Sequence, residues 1–181
     1  WQTSGRPIEF NSLPKDTPKW GGKWKAAVAK NYQSTLSIST HGAVMSHRNN
    51  YLDLDPTYRN AYGQPLLRLT FDYTDNEHKM SDYLTERATD IAKAMKAREI
   101  HAKPRMGHYD IVPYQTTHNT GGAIMGTDPK SSVVNRYQQS WDLHNLFVLG
   151  ACAFPQNAGY NPTGTVGALA YWAADAIINK Y

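Results

Sequence analysis

The sequence is poor in cysteine. Cys152 is the only one among 181 residues, which excludes an internal disulfide framework and any multi-cysteine metal or iron–sulfur site built from this chain alone. It directly follows an apolar run, so an inert packed thiol is its expected state. Long apolar runs are missing too. No stretch reaches the roughly 20 residues that span a bilayer, and no transmembrane segment is expected. Basic runs are missing as well. The formal charge of +4 is spread without a lysine or arginine cluster, which points weakly to an anionic ligand and away from nucleic acid. No histidine pair has zinc-like spacing and no cluster of ligands accompanies one, so no metal site is expected. No G-x-G-x-x-G opens a βαβ unit, and the motif that grips a dinucleotide is therefore absent. Neither an internal repeat nor a low-complexity segment is present. No signal peptide opens the chain and Trp1 is not a natural start, so it reads as a fragment from which targeting information has been removed. Length alone fits one domain with one core.

From Trp1 to about Trp24, Pro7, Pro14, Pro18, Gly21 and Gly22 forbid long regular elements. An extended lead-in is expected there, its tryptophans packed on something else. Lys23 to Asn31 fits a short helix with Trp24, Ala27 and Val28 on one side. Tyr32 to Thr40 alternates, with Leu36 and Ile38 opposite Ser37 and Ser39, as in a half-buried strand. Asn50 to Asp55 gives a second strand with Leu52 and Leu54 inward, ended by Asp55-Pro56. A turn over 61–65 leads into the clearest strand, Leu66 to Tyr73, with Leu67, Leu69, Phe71 and Tyr73 on one face. Thr74-x-x-Glu77 is a capping box. The helix it opens, 76–98, carries Met80, Leu84, Ala88, Ile91 and Met95 along one stripe and a solvated charged face. Tyr109 to Val112 is a fourth candidate strand. Strands gathered before a long helix predict an α+β fold, an antiparallel sheet flanked by helices.

The last quarter of the chain organises the rest. Leu146 to Leu149 is an uninterrupted apolar run, fitting a strand buried on both faces. Gly150 to Asn161 is a loop of small and turn-forming residues. Thr163 to Lys180 reads as a helix, with Val166, Ala170, Ala173, Ala174 and Ile177 at helical spacing and Lys180 where a cation suits the dipole. Its start, Asn161-Pro162-Thr163, offers a capping side chain, a preset proline and small neighbours. Unpaired N–H groups and a partial positive charge collect at such a start. A glycine- and alanine-lined loop beside it lets a flat or anionic ligand approach the backbone. A plain strand–loop–helix connection has the same pattern.

The stretch NLFVLGACAFPQNAGYNPTGTVGALAYWAAD resembles the C-terminal signature of the glucose–methanol–choline (GMC) family of flavin oxidoreductases, over nearly all of residues 144–178. The middle stretch LDPTYRNAYGQPLLRLTFDYTDNE is similar to the family's substrate domain. A third likeness is the loop 116–126. Bottom-up it is a histidine in a polar, glycine-rich loop, and histidine is the side chain best placed to exchange a proton near neutral pH. His41, His47, His78, His101, His108 and His144 carry no comparable pattern. His118 matches the family's H-x-x-G-(T/G)-x-x-M-G motif, with Gly122 where many members have threonine and Asn119 where many have proline.

The resemblance implies the following. The chain is the C-terminal part of an FAD-dependent enzyme that oxidises a CH–OH group by hydride transfer to the flavin. Residues 1–140 are part of its substrate-binding domain, and 141–181 complete an FAD domain whose N-terminal, nucleotide-gripping part is missing here. This fragment alone would hold no FAD and would be inactive. His118 is the catalytic base. Asn161 matches the second catalytic position; asparagine can donate a hydrogen bond but cannot take a proton. Gly150, Ala151, Asn161, Pro162 and Thr163 contact the cofactor, with Gly150 in place of a common aspartate. The face bearing Ala151, Asn157, Tyr160 and Val166 would be apolar and exposed. The likeness is nearest the sugar and gluconate dehydrogenase branch, which implies a sugar-like small-molecule substrate and leaves room for an electron-accepting subunit, with a bacterial periplasmic or cytoplasmic setting open. The alternative from another class is a non-catalytic carbohydrate-binding or interaction domain, suggested by twelve tyrosines and five tryptophans.

Overall fold

The computed structural model describes residues 2–4, 13–32, 34–103, 105–112 and 118–180. In chain order the elements are β1 (Gln2–Ser4), α1 (Gly21–Asn31), β2 (Ser37–Ser39), β3 (Val44–Met45), β4 (Tyr51–Arg59), β5 (Pro65–Thr70), α2 (Asp75–Ala94), a 3-10 turn over Ala151–Ala153, β6 (Gln156–Asn157) and α3 (Thr163–Lys180). The fold class is α+β with antiparallel pairing, as the pattern predicts. Among the described residues its strands do not form one sheet. They form three two-stranded ribbons, β1–β2, β3–β6 and β4–β5.

Length alone suggested one domain, but the chain divides into two compact units. One comprises Trp1–His41 and His78–Met106, the other Gly42–Glu77 and Gly107–Tyr181. In the first unit α1 buries none of its residues, and Trp20 before it is exposed. The expected strand over 32–40 shrinks to Ser37–Ser39, paired with β1. Along α2, Arg87 pairs with Glu86 and with Asp90 at 3.0 Å, and Arg105 reaches Asp82 at 3.3 Å. The predicted apolar stripe of this helix is only half-covered, since Ile91 and Met95 are exposed and Glu77 is its single buried residue.

The second unit holds β3 to β6 and α3. Cross-strand pairs Leu52↔Leu69 and Leu54↔Leu67 put four leucines on one face of the β4–β5 ribbon, because side chains alternate with period 2. Asp53 and Arg68 pair on the other face, with Arg68 Nε 2.8 Å from Asp53 Oδ1. The leucine face was expected inward. Within the described residues it is open, Leu67 being 70% exposed. β4 does not stop at Asp55-Pro56. Asp55 Oδ1 accepts from the N–H groups of Thr57 and Tyr58 at 2.8 Å each, and the register slips between Leu54 and Arg59, so the proline is accommodated at an irregularity.

Two further predicted strands are corrected. Tyr109–Val112 is not a strand: its amides go to side chains. Asp72 Oδ1 accepts from Tyr109 N–H at 2.9 Å and Asp110 Oδ1 from Val112 N–H at 2.9 Å, the local competition with ladders that short acidic side chains offer. Leu146–Leu149 makes one bridge, Phe147 with Gln139, rather than a strand buried on both faces, and Leu146 and Leu149 are exposed. The core of this unit is small: Val134, Ala153, Phe154, Ala173 and Ala176.

Candidate active site

His118 begins an extended loop that is laced to the 3-10 turn. Gly121 N–H donates to Ala151 O at 3.3 Å, Ala123 N–H to Cys152 O at 2.9 Å and Met125 N–H to Ala153 O at 2.8 Å. On its other side, Val133 N–H donates to Ile124 O and Gly126 N–H to Val134 O, both at 2.9 Å. Backbone geometry favours glycine at 121. Its φ is +86°, and a Cβ would collide with Ser46 Oγ. At Gly122 a Cβ would make only ordinary contacts, 3.8 Å from Leu52 Cδ1. The loop therefore has room for a Cβ at this position. Thr116 and Thr117 lie outside the described residues.

Asn157 ties this loop to the turn at Gly159, ahead of α3. It sits in β6, paired with Val44. Its Nδ2 donates to His118 O at 3.1 Å, and its Oδ1 accepts from Gly159 N–H at 3.0 Å. Two residues on, the chain reaches Asn161. The route from His118 to Asn161 thus runs through one amide side chain. His118 is half-buried, whereas Asn161 and Thr163 are exposed. Pro162 takes the cap position, its carbonyl accepting from Val166 N–H at 3.0 Å, so the helix proper begins at Thr163. No acidic residue stands in the first turn of α3.

Gly150 opens the turn at φ +121° and ψ −172°. A residue with a side chain rarely adopts that backbone, so glycine here is more than an aspartate deleted. Its N–H lies 3.4 Å from Gln138 Oε1. Cys152 is half-buried, with its thiol 3.7 Å from Leu149 O. Residues 150 and 151 are small, and the first N–H groups of α3 are those a helix leaves without intrahelical partners, each a feature suited to a flat or anionic group. Among the described residues no three His, Cys, Asp or Glu side chains gather as a metal site needs. Of the face expected to be apolar and exposed, Tyr160 is exposed at 70%, while Ala151, Asn157 and Val166 are half-buried.

Sequence reasoning missed Asn157 and Gln138. Asn157 read as a loop residue on an expected open face, with no tie to His118, and Gln138 lies in a polar stretch with no apolar period. Partners 39 and 31 residues away give them their roles, and no local pattern announces such contacts.

A family model described as GMC oxidoreductase matches residues 46–170, well over half the chain. Gluconate 2-dehydrogenase flavoprotein of Pantoea cypripedii is 54% identical over 182 residues, covering 99% of this chain and 30% of that protein. Fructose dehydrogenase large subunit of Gluconobacter japonicus is 34% identical over 161 residues, 88% of this chain and 28% of that protein. 2-Methyl-1,2-propanediol dehydrogenase of Mycolicibacterium austroafricanum is 28% identical over 162 residues, 90% of this chain and 28% of that protein. The chain spans about three tenths of the length of these curated relatives. The matched stretch takes in Ser46 and the His118 loop it abuts, the turn at Gly150, the Asn157 tie and the first turns of α3, and by that match the chain belongs to the GMC oxidoreductase family.

Proposed function

We propose that the chain is the C-terminal part of an FAD-dependent enzyme that oxidises a CH–OH group of a sugar, sugar acid or polyol. The names of the relatives, gluconate and fructose dehydrogenases and a propanediol dehydrogenase, support the reaction class. The observation that carries the reading is the Asn157 side chain, which joins the backbone at His118 to the turn before Asn161.

Bound FAD supplies the hydride acceptor. The chain's own groups divide the remaining work. An imidazole nitrogen of His118 takes the hydroxyl proton. The Asn161 amide donates to the substrate oxygen and orients it, since it cannot accept a proton. The N–H groups from Thr163 onward, free of any acid in the first turn, favour negative charge beside them. Gly150 and Ala151 present bare backbone to a flat ring. Residues 1–140 belong to the substrate domain in this reading. Residues 141–181 complete the FAD domain, the rest of which lies in the other part of the protein, and a separate electron-accepting subunit completes turnover. The relatives' names, a "flavoprotein" and a "large subunit", support such an assembly.

The test is His118→Ala in the full-length protein, assayed with an artificial acceptor against gluconate, aldoses and polyols. Turnover should fall about 10²–10⁴-fold with FAD bound and KM little changed, because proton removal belongs to the transition state. Near-normal turnover with FAD bound overturns the assignment. Activity on simple aliphatic or aromatic alcohols alone overturns the sugar reading.

A further inference from the structure

Gln138 is the largest fully buried side chain among the described residues, at 0% exposure. It is also polar and holds φ +62°, a conformation uncommon for a residue with a Cβ. Buried polar groups persist where they are hydrogen-bonded, and the partners of Gln138 lie on two different segments. Its Nε2 donates to Leu169 O in α3 at 2.7 Å. Its Oε1 accepts from Gly150 N–H at 3.4 Å. Its main chain reinforces the second link, Val148 N–H donating to Gln138 O at 2.8 Å. One side chain thus spans from the turn at Gly150 to the body of the helix that starts at Thr163.

We propose that Gln138 is a positioning residue for the flavin. It fixes the spacing between the Gly150–Ala151 backbone and α3, and so sets how tightly FAD is held and at what potential it is reduced. This rests on the assignment of those two segments to FAD made above. Leu169 O already serves α3 as a helix carbonyl, so the Gln138 contact adds a second donor that locks the helix in translation relative to Gly150. Shortening the side chain by one methylene breaks the span while keeping an amide, and asparagine tolerates positive φ. Gln138→Asn therefore separates reach from backbone strain.

The experiment compares full-length wild type, Gln138→Asn and Gln138→Leu. It measures FAD titration of the apoprotein, the midpoint potential of bound FAD at saturation, and the melting temperature of the apoprotein. Gln138→Asn should raise the FAD Kd about tenfold and shift the potential, and it should also lower the melting temperature of the apoprotein, since a fully buried amide loses one to two intramolecular hydrogen bonds. Gln138→Leu should lose more; if it fails to fold, the asparagine variant decides. A wild-type Kd and potential in Gln138→Asn, or a fall in melting temperature alone, overturns the proposal. A wild-type protein that binds no FAD overturns the functional reading itself, a separate outcome.

Discussion

Where α2 starts, the chain supplies its own anion; where α3 starts, it supplies none. The first turn of α2 carries Asp75 and Glu77. Glu77 is 2% exposed and accepts from Thr74 N–H at 2.8 Å and from the Thr74 hydroxyl. Its Oε1 faces His47 Nε2 at 3.9 Å, neither atom having another hydrogen-bond partner. The first turn of α3 carries threonines and glycine, preceded by Pro162 and a turn held by Asn157. Both helix starts bear the same partial positive charge. In the proposed reading, a helix start closed by its own acid serves the fold, while the neutral start of α3 is left for a ligand.

The largest effect that would break this comparison is at Asn157. Asn157→Leu removes the tie between His118 and the turn before α3. A misplaced catalytic group costs on the order of 10²-fold, so turnover of the full-length protein should fall about that much with FAD still bound. Unchanged turnover would mean that the α3 start and the His118 loop do not work together. Next is Glu77. Glu77→Ala should cost about 2 kcal/mol of stability, read by chemical denaturation, and leave the rate of flavin reduction by substrate alone. Burial pushes the Glu77 carboxyl up, but the Thr74 hydrogen bonds outweigh it and hold it below the usual carboxylate range. That contribution is present above about pH 4.3 and should be lost as pH falls below the usual range, since a depressed carboxyl stabilises only while ionised.

The smallest effect concerns Asp72. The N–H of Tyr109, the imidazole of His108 and the N–H of Tyr73 hold its carboxyl down at about 2. Asp72 pins the segment that leads towards His118, packing Tyr109 against Phe71 with ring centroids 4.8 Å apart. The pin should persist at pH 4 and release only as pH approaches 2. Hydrogen exchange at the Tyr109 amide reads it directly. Fast exchange at neutral pH in the wild type, or no acceleration in Asp72→Asn, would contradict the role.

Much of this was legible in the sequence, and the failures have physical causes. Helix α3 keeps its expected limits, Thr163 to Lys180, because proline and small residues mark its start. Helix α2 ends at Ala94 rather than 98. Lys96 takes φ +58°, and Ala97 N–H reaches Ala92 O while Lys96 N–H reaches Lys93 O, a Schellman stop that usually carries glycine. A lysine there gives no warning. Period-2 alternation correctly placed four leucines of the β4–β5 ribbon on one face, yet periodicity cannot say what covers a face. The His118 loop and the α3 start were visible through the family motif. Gln138 and Asn157 were not, because a buried amide is recognised only by what it reaches.

The most direct test exchanges the two helix starts' chemistry and titrates FAD into the full-length apoprotein. Thr163→Asp puts an acid into the first turn of α3, and Glu77→Gln takes the charge from α2. Thr163→Asp should weaken FAD binding about tenfold, about 1.4 kcal/mol, with the apoprotein melting at or above wild type. Glu77→Gln should lower the melting temperature and leave the FAD Kd unchanged. Wild-type FAD affinity in Thr163→Asp, or a weakened affinity in Glu77→Gln alone, would contradict the assignment of the open α3 start to the flavin.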